Sequence, residues 1–572
     1  MPWKGGFKTR FAAAQRNKPA KTAAVKNDAT RKRGRPKVLL RPHTPFGAKL
    51  RKDFLKNECS AAQVQRLADA AESSGCAGVH ELASASVGGW HRGNLSRDLG
   101  RRLLDEESFP PLYWARMEDG VEMPVMLPHE ALRWYIEEVY SAPAHPTSGL
   151  SAQAGALHST TCGKLSLDPD STWAIALWGD AVPYSKKRSV FVLTMSLVND
   201  PAGCRLPLLV VPMKIKSYIE PLLQCILWSA RCMLVGVNPC CRHTGETWLR
   251  SDARRQAYQG LPLKKGVVLQ LKGDWEYFKN VLGLPGWNTR SICWMCSATP
   301  RTFKNMAECQ SVSSEDFFKR DGMNLSSLLS CPGISTASVV QDWLHTVDLG
   351  VGSSLVGALI WECIDCPGLL QGTSRASRLQ DLWAEIQVWY KTSGASSRLG
   401  NLTLSMLRVK SQAAPFLHSK AAECRGLQAY LPILAAKLHA HVQSEHTQRI
   451  LDLMIDFWAL VQASTQEDTC DLEKAAGLAR SVHAHLAALD EEERLAEPFF
   501  KTWECKPKLH QLLELVTKTQ LVHGPANLYW TYMDESYGGK VAKRTVQRGG
   551  SNNVSKQAVK VFQRIYNLRE FV

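Results

Sequence analysis

Trp173-Ala-Ile-Ala-Leu-Trp178-Gly-Asp180 and Val267-Val-Leu-Gln-Leu-Lys-Gly-Asp274 are two apolar runs that each end in Gly-Asp. Short apolar runs bounded by turn residues read as buried strands. A carboxylate at the end of a buried strand is costly unless it is paired or binds a cation. Two of them at the ends of neighbouring strands make a candidate divalent-metal site. The alternative is that Asp180 and Asp274 only cap strand ends.

Outward from the first run, Ala181–Arg188 is a polar turn. Ser189–Val198 and Leu206–Met213 are further strands, a helix is expected from about Ile219 to Leu234, and Val267–Leu271 is the fourth strand. Three antiparallel strands, a helix and another strand is the element order of the ribonuclease H-like fold. The expected class is therefore α/β: a ribonuclease H-like mixed sheet carrying a large all-helical insertion. Within 375–495, Leu379, Leu382, Trp383, Ile386, Trp389 and Tyr390 recur at helical spacing, and Ile450–Val461 is apolar nearly all round. These leucines and aromatics read as core. The expected divisions are a disordered basic arm (1–57), a mostly helical region (58–165) and a first core segment (166–370). A helical insertion (371–500) and a C-terminal completion of the core (501–572) follow. Ser536–Ser555 reads as a polar stretch before a last helix.

The net charge of +17 is concentrated at the N-terminus: residues 1–56 hold 17 Lys/Arg against Asp28 and Asp53, leaving about +2 for the other 516. Such an arm points to nucleic acid or a targeting receptor. Within it, Arg31-Lys-Arg33-Gly34-Arg35-Pro36-Lys37 resembles an AT-hook. Gly34 and Pro36 keep the peptide thin, so Arg33 and Arg35 can enter a narrow A·T minor groove. A nuclear import signal reads equally well, and the two can coexist. No apolar h-region marks Met1–Lys21 as secretory, while an organelle presequence is a minor alternative. No run reaches the ~18–20 apolar residues of a membrane span, so no membrane partner is expected. The 17 cysteines without a signal peptide argue for reduced thiols. Cys293-x-x-Cys296 has the spacing of half a tetrahedral zinc site.

Several motifs together resemble the transposases of CACTA-type (EnSpm-like) DNA transposons, of the DDE superfamily, from about Trp173 to Arg544. Gly179-Asp180-Ala-Val-Pro-Tyr184-Ser corresponds to the first-acid motif. Lys272-Gly273-Asp274-Trp275, Gly283-Leu-Pro-Gly286 and Cys293-Trp-Met-Cys296 resemble the second acid with its trailing cysteines. Asp342-Trp-Leu-His345-Thr-Val-Asp348-Leu-Gly350 resembles the His-containing segment, and Gly524-Pro-Ala-Asn-Leu-Tyr-Trp530-Thr-Tyr532-Met-Asp534-Glu535 the closing motif.

The resemblance implies an acid triad of Asp180, Asp274 and Glu535, with Asp534 and Asp348 as runners-up for the third place. The triad would hold two Mg²⁺ (or Mn²⁺) about 3.5–4 Å apart for in-line displacement at phosphorus. His345 is implied as a third zinc ligand beside Cys293 and Cys296, with Asp342 or another cysteine as the fourth. One departure stands out: Gly precedes Asp180 where the family has Asp-Gly, which puts a tight turn after the acid in question. The expectation is a nuclear, Mg²⁺-dependent DNA-strand transferase acting on double-stranded DNA as a homo-oligomer. Its alternative is an inactive, domesticated relative serving as a DNA-binding or chromatin protein.

Overall fold

A computed structural model describes residues 44–56, 58–83, 99, 103, 109–140, 145–198, 200, 202–320, 322–408, 413–466, 470–496, 501–545, 554–569 and 571. The AT-hook-like stretch Arg33–Pro36 lies outside the described residues.

Six strands are described: β1 (Tyr113–Arg116), β2 (Glu122–Val125), β3 (Thr172–Ser185), β4 (Arg188–Leu197), β5 (Leu206–Pro212) and β6 (Lys265–Gly273). β1 and β2 form a small antiparallel hairpin. The central sheet has the order β5-β4-β3-β6, with β3–β4 and β4–β5 antiparallel and β3–β6 parallel. A parallel neighbour needs a crossover, and the helix Ile219–Val235 with the segment after it supplies the connection from β5 to β6. Residues 173–179 of β3 and 266–273 of β6 are all buried, which explains why both read as unbroken apolar runs rather than alternating ones. The protein is therefore mixed α/β with a mixed sheet, the coarser part of the expectation.

In register, Gly179 lies opposite Gly273. A Cβ on Gly179 would come within 2.5 Å of the Tyr277 ring, and one on Gly273 would meet that ring and stand 2.6 Å from the Gly179 carbonyl oxygen. Tyr277, fully buried, packs over both glycines and stacks on Phe191. The Gly-Asp order at 179–180 thus serves packing. No tight turn follows the acid: β3 runs on to Ser185 and turns only at Lys186–Lys187.

Helices clothe the sheet. The helix Leu344–Asp365 passes for a membrane span by length and composition, contrary to the sequence expectation, but 83 % of its most apolar window is buried inside the protein. It is a core helix. The block Arg375–Thr392, Glu445–Thr465 and Leu472–Ala496 is helical as expected and shares one continuous core with the sheet.

Three sequence expectations shift. Pro45–Leu55, assigned to the arm, is a helix capped by Thr44, because Leu50, Phe54 and Leu55 share a face that packs with Ala61–Ser73 in a separate small core. The region 58–165 divides: its first part joins that small core, whereas the β1–β2 hairpin joins the main one. Residues 536–545, read as a polar stretch, continue the helix Tyr532–Thr545. There Gly538 lets the helix approach Trp178 of β3, since a Cβ would stand 2.5 Å from the indole.

Gly273→Ala is expected to overpack this junction and cost about 1–3 kcal/mol. Urea unfolding followed by circular dichroism measures it, and an unchanged midpoint would contradict the packing described.

Candidate active site

Each predicted acid comes from a different element. Asp180 sits on β3 immediately after the glycine pair, and its Oδ1 accepts a hydrogen bond from Ala181 N at 2.6 Å. Asp274 follows β6 and caps the short helix Trp275–Asn280, its Oδ1 accepting from Tyr277 N at 2.6 Å. The capping alternative is thus realised at Asp274, but a cap engages only one oxygen. Glu535 lies in the first turn of Tyr532–Thr545, the helix that Gly538 seats against β3.

These side chains feel one another strongly. The Asp180 carboxyl is pushed up to about 6, first by burial and then by the charge of Asp274, with Glu276 adding to it. Glu535 is pushed up to about 8 by burial; His345 opposes this, while Asp180, Asp342 and Asp274 reinforce it. Its Oε1 is buried and has no hydrogen-bond partner among the described residues. Burial pulls His345 down, but its hydrogen bond to Asp342 and the charges of Asp342, Glu535 and Asp274 outweigh that and raise it to about 9.

His345 was expected at zinc with Asp342; the structure places both at the acids instead. His345 Nδ1 lies 2.7 Å from Asp342 Oδ2, and its Nε2 is 3.8 Å from Glu535 Oε1. Asp342 Oδ2 also accepts from His345 N at 2.9 Å, while Oδ1 accepts from Thr531 N at 2.9 Å. Asp342 therefore ties the His-bearing helix to the residues leading into Glu535, and these donors hold its own carboxyl below its ordinary range despite burial. Cys293 and Cys296 lie instead beside His510 and Glu514.

The two runners-up are occupied elsewhere. Asp534, fully buried, accepts from Arg205 Nε at 2.8 Å and Lys272 Nζ at 2.7 Å. Asp348 is held by Gln428 Nε2 at 3.1 Å, the Tyr532 hydroxyl at 2.8 Å and Arg425 at 3.4 Å. Of the three candidates, only Glu535 joins Asp180 and Asp274 without a cationic side chain neutralising it by a direct hydrogen bond.

A cleft of about 460 Å³ opens beside the cluster, lined by Asp274, Glu276, His345, Trp287 and Lys508 among others. Lys508 Nζ donates to the His345 carbonyl at 2.7 Å, and burial lowers its pKa. Trp287 is partly exposed, packs edge-on against Trp275 at 5.7 Å and carries Lys279 over its face. Sequence reasoning missed Glu276, Trp287 and Lys508. Glu276 was signalled by its place two residues beyond an acid, whereas Lys508 carried no signal at all.

Compared with known protein families and with curated proteins, the chain matches none.

The two acids on neighbouring positions should separate cleanly. Asp534→Ala leaves Arg205 and Lys272 without their partner and is expected to cost about 3–5 kcal/mol in urea unfolding. Glu535→Gln, which relieves repulsion among buried carboxyls, should leave stability equal or higher. Equal losses from the two would contradict the assignment.

Asp180, Glu535 and His345 all bind protons more tightly when folded, so the stability linked to them falls as pH rises. The windows run from 3.8 to about 6, from 4.5 to about 8 and from 6.5 to about 9. Without divalent cation, the wild-type Tm is expected to fall more between about pH 5 and pH 8 than that of Glu535→Gln. Scanning calorimetry of both proteins checks this; parallel profiles would contradict it.

Proposed function

We propose that this chain is a DNA-strand transferase of the transposase kind, cutting and joining DNA ends at the site of Asp180, Asp274 and Glu535. The observation that carries the reading is geometric: Asp180 and Asp274 directly follow Gly179 and Gly273, which pair across β3 and β6, and Glu535, on the helix seated against β3, has its Oε1 3.8 Å from His345 Nε2. The sheet order β5-β4-β3-β6, with β6 parallel to β3 after a helical crossover, supports a ribonuclease H-like core.

Three carboxylates repelling one another in a partly buried site, one with an unpartnered buried oxygen, fit a divalent cation centre. Asp180, Asp274 and Glu535 would hold the ions. Bound there, Mg²⁺ or Mn²⁺ supplies Lewis acidity to the attacking and leaving oxygens of a phosphodiester. Asp342 fixes the His345 ring so that Nε2 faces Glu535, placing a proton donor beside the acid cluster. Lys508 and Glu276 set the local charge of the cleft.

The partner is double-stranded DNA, which the basic arm would hold with an affinity that drops as salt rises. A nuclear location and a multimeric form on DNA belong to the same reading.

Supercoiled DNA incubated with the purified chain in Mg²⁺ is expected to be nicked. Asp180→Ala, Asp274→Ala and Glu535→Ala should each lower nicking by at least about 10²-fold while leaving DNA retention in a gel unchanged. Retention without any nicking by wild type would favour the inactive, DNA-binding alternative. Nicking undiminished in the variants would overturn the site.

A further inference from the structure

Away from the acids, a second polar cluster is buried where polarity is costly. Cys293, Cys296, His510 and Glu514 each bring a ligand atom to within 4.8 Å of the others. All four are buried; the His510 and Glu514 side chains are 1 % exposed. Cys296 Sγ stands 3.3 Å from His510 Nε2, and that nitrogen stands 3.5 Å from Glu514 Oε1. Tetrahedral zinc with bonds of about 2.0–2.3 Å sets its ligands about 3.3–3.8 Å apart. The Cys296–His510 and His510–Glu514 separations fall in that range, and the remaining pairs lie within 4.8 Å.

Two further features suit sulfur bound to a metal. Met295 N donates to Cys293 Sγ at 3.2 Å, a backbone hydrogen bond of the kind that holds a metal-ligating sulfur in place. Charge also balances: two thiolates and a carboxylate around a divalent ion leave one negative charge, and Lys518 Nζ lies 2.9 Å from Glu514 Oε2. Among the described residues His510 Nδ1 is buried with no hydrogen-bond partner, so the ring is held mainly through its other nitrogen. Nearby Cys309 is not needed: its Sγ lies within hydrogen-bonding reach of the Thr302 and Asn305 carbonyls, at 3.6 and 3.5 Å, as a thiol would.

We infer that Cys293, Cys296, His510 and Glu514 form a structural zinc site that fastens the loop after β6 to the helix Pro507–Glu514. That helix also carries Lys508, whose ammonium holds the His345 carbonyl. The metal therefore braces the cleft wall by joining segments that the whole helical block separates in sequence. Four protein ligands close the coordination sphere and leave no position for substrate, which makes the site structural.

The full-length chain, purified without chelator, is expected to contain one zinc per chain by inductively coupled plasma mass spectrometry. Cobalt substitution should give the intense visible bands of tetrahedral Co²⁺ with thiolate-to-metal charge transfer. Cys293→Ser combined with Cys296→Ser should abolish binding, and His510→Ala or Glu514→Gln should weaken it about 10-fold or more. Asp342→Asn with His345→Ala should keep the full zinc content. Should the cysteine variant fail to fold, release of zinc from wild type by a mercurial, titrated against thiols lost, decides the matter. Zinc-free protein, cobalt bands without charge transfer, or zinc lost with His345 and retained without the cysteines would each overturn the proposal. Since the readout is metal content, it is indifferent to whether DNA is cut.

Discussion

The parallel alignment of β3 and β6, with Gly179 opposite Gly273, is the constraint on which the acid cluster depends. It puts the residues that follow them, Asp180 within β3 and Asp274 just past β6, side by side where the parallel pairing ends. The glycines are required because the Tyr277 ring occupies the space that their side chains would fill. A third glycine, Gly538, does the same for the helix that brings Glu535. Backbone close approach at three points thus converts distant sequence positions into neighbours.

The energetic consequence is a site under repulsion. Burying three carboxylates together raises the pKa of Asp180 and Glu535, and a nearby histidine is drawn to its charged form in response. Proteins usually resolve such clusters by fixed cations, as this chain does for Asp534 with Arg205 and Lys272. Adjacent residues on one helix turn point about 100° apart, so Asp534 faces the sheet's ion pairs while Glu535 faces His345. One acid is spent on the fold and the other is left for the site.

Much of this was legible in the sequence. The strands around Asp180, the crossover helix and β6 were visible because doubly buried strands read as unbroken apolar runs. Glu535 and its rivals could not be ranked by pattern, since what separates them is the tertiary placement of Arg205, Lys272, Gln428 and Arg425. Assigning His345 to the cysteines followed the family resemblance. His510 and Glu514 lie far beyond His345, across the helical block, with a spacing that any helix could show. The Gly538–Gly539 pair looked like a loop because glycine is a poor helix former, yet packing against Trp178 outweighs that preference. The β1–β2 hairpin escaped notice because strands of four residues carry too little alternation to register.

Iron-directed backbone cleavage tests the central claim most directly. Fe²⁺ is supplied to the full-length chain instead of Mg²⁺, ascorbate and peroxide generate radicals at any bound iron, and mass spectrometry maps the cuts. Convergence of the three acids on one centre predicts simultaneous cuts near Asp180, near Asp274 and at the start of the helix Tyr532–Thr545, all lost together in Asp180→Asn. Cuts confined to one of these places, or surviving that substitution, would contradict it.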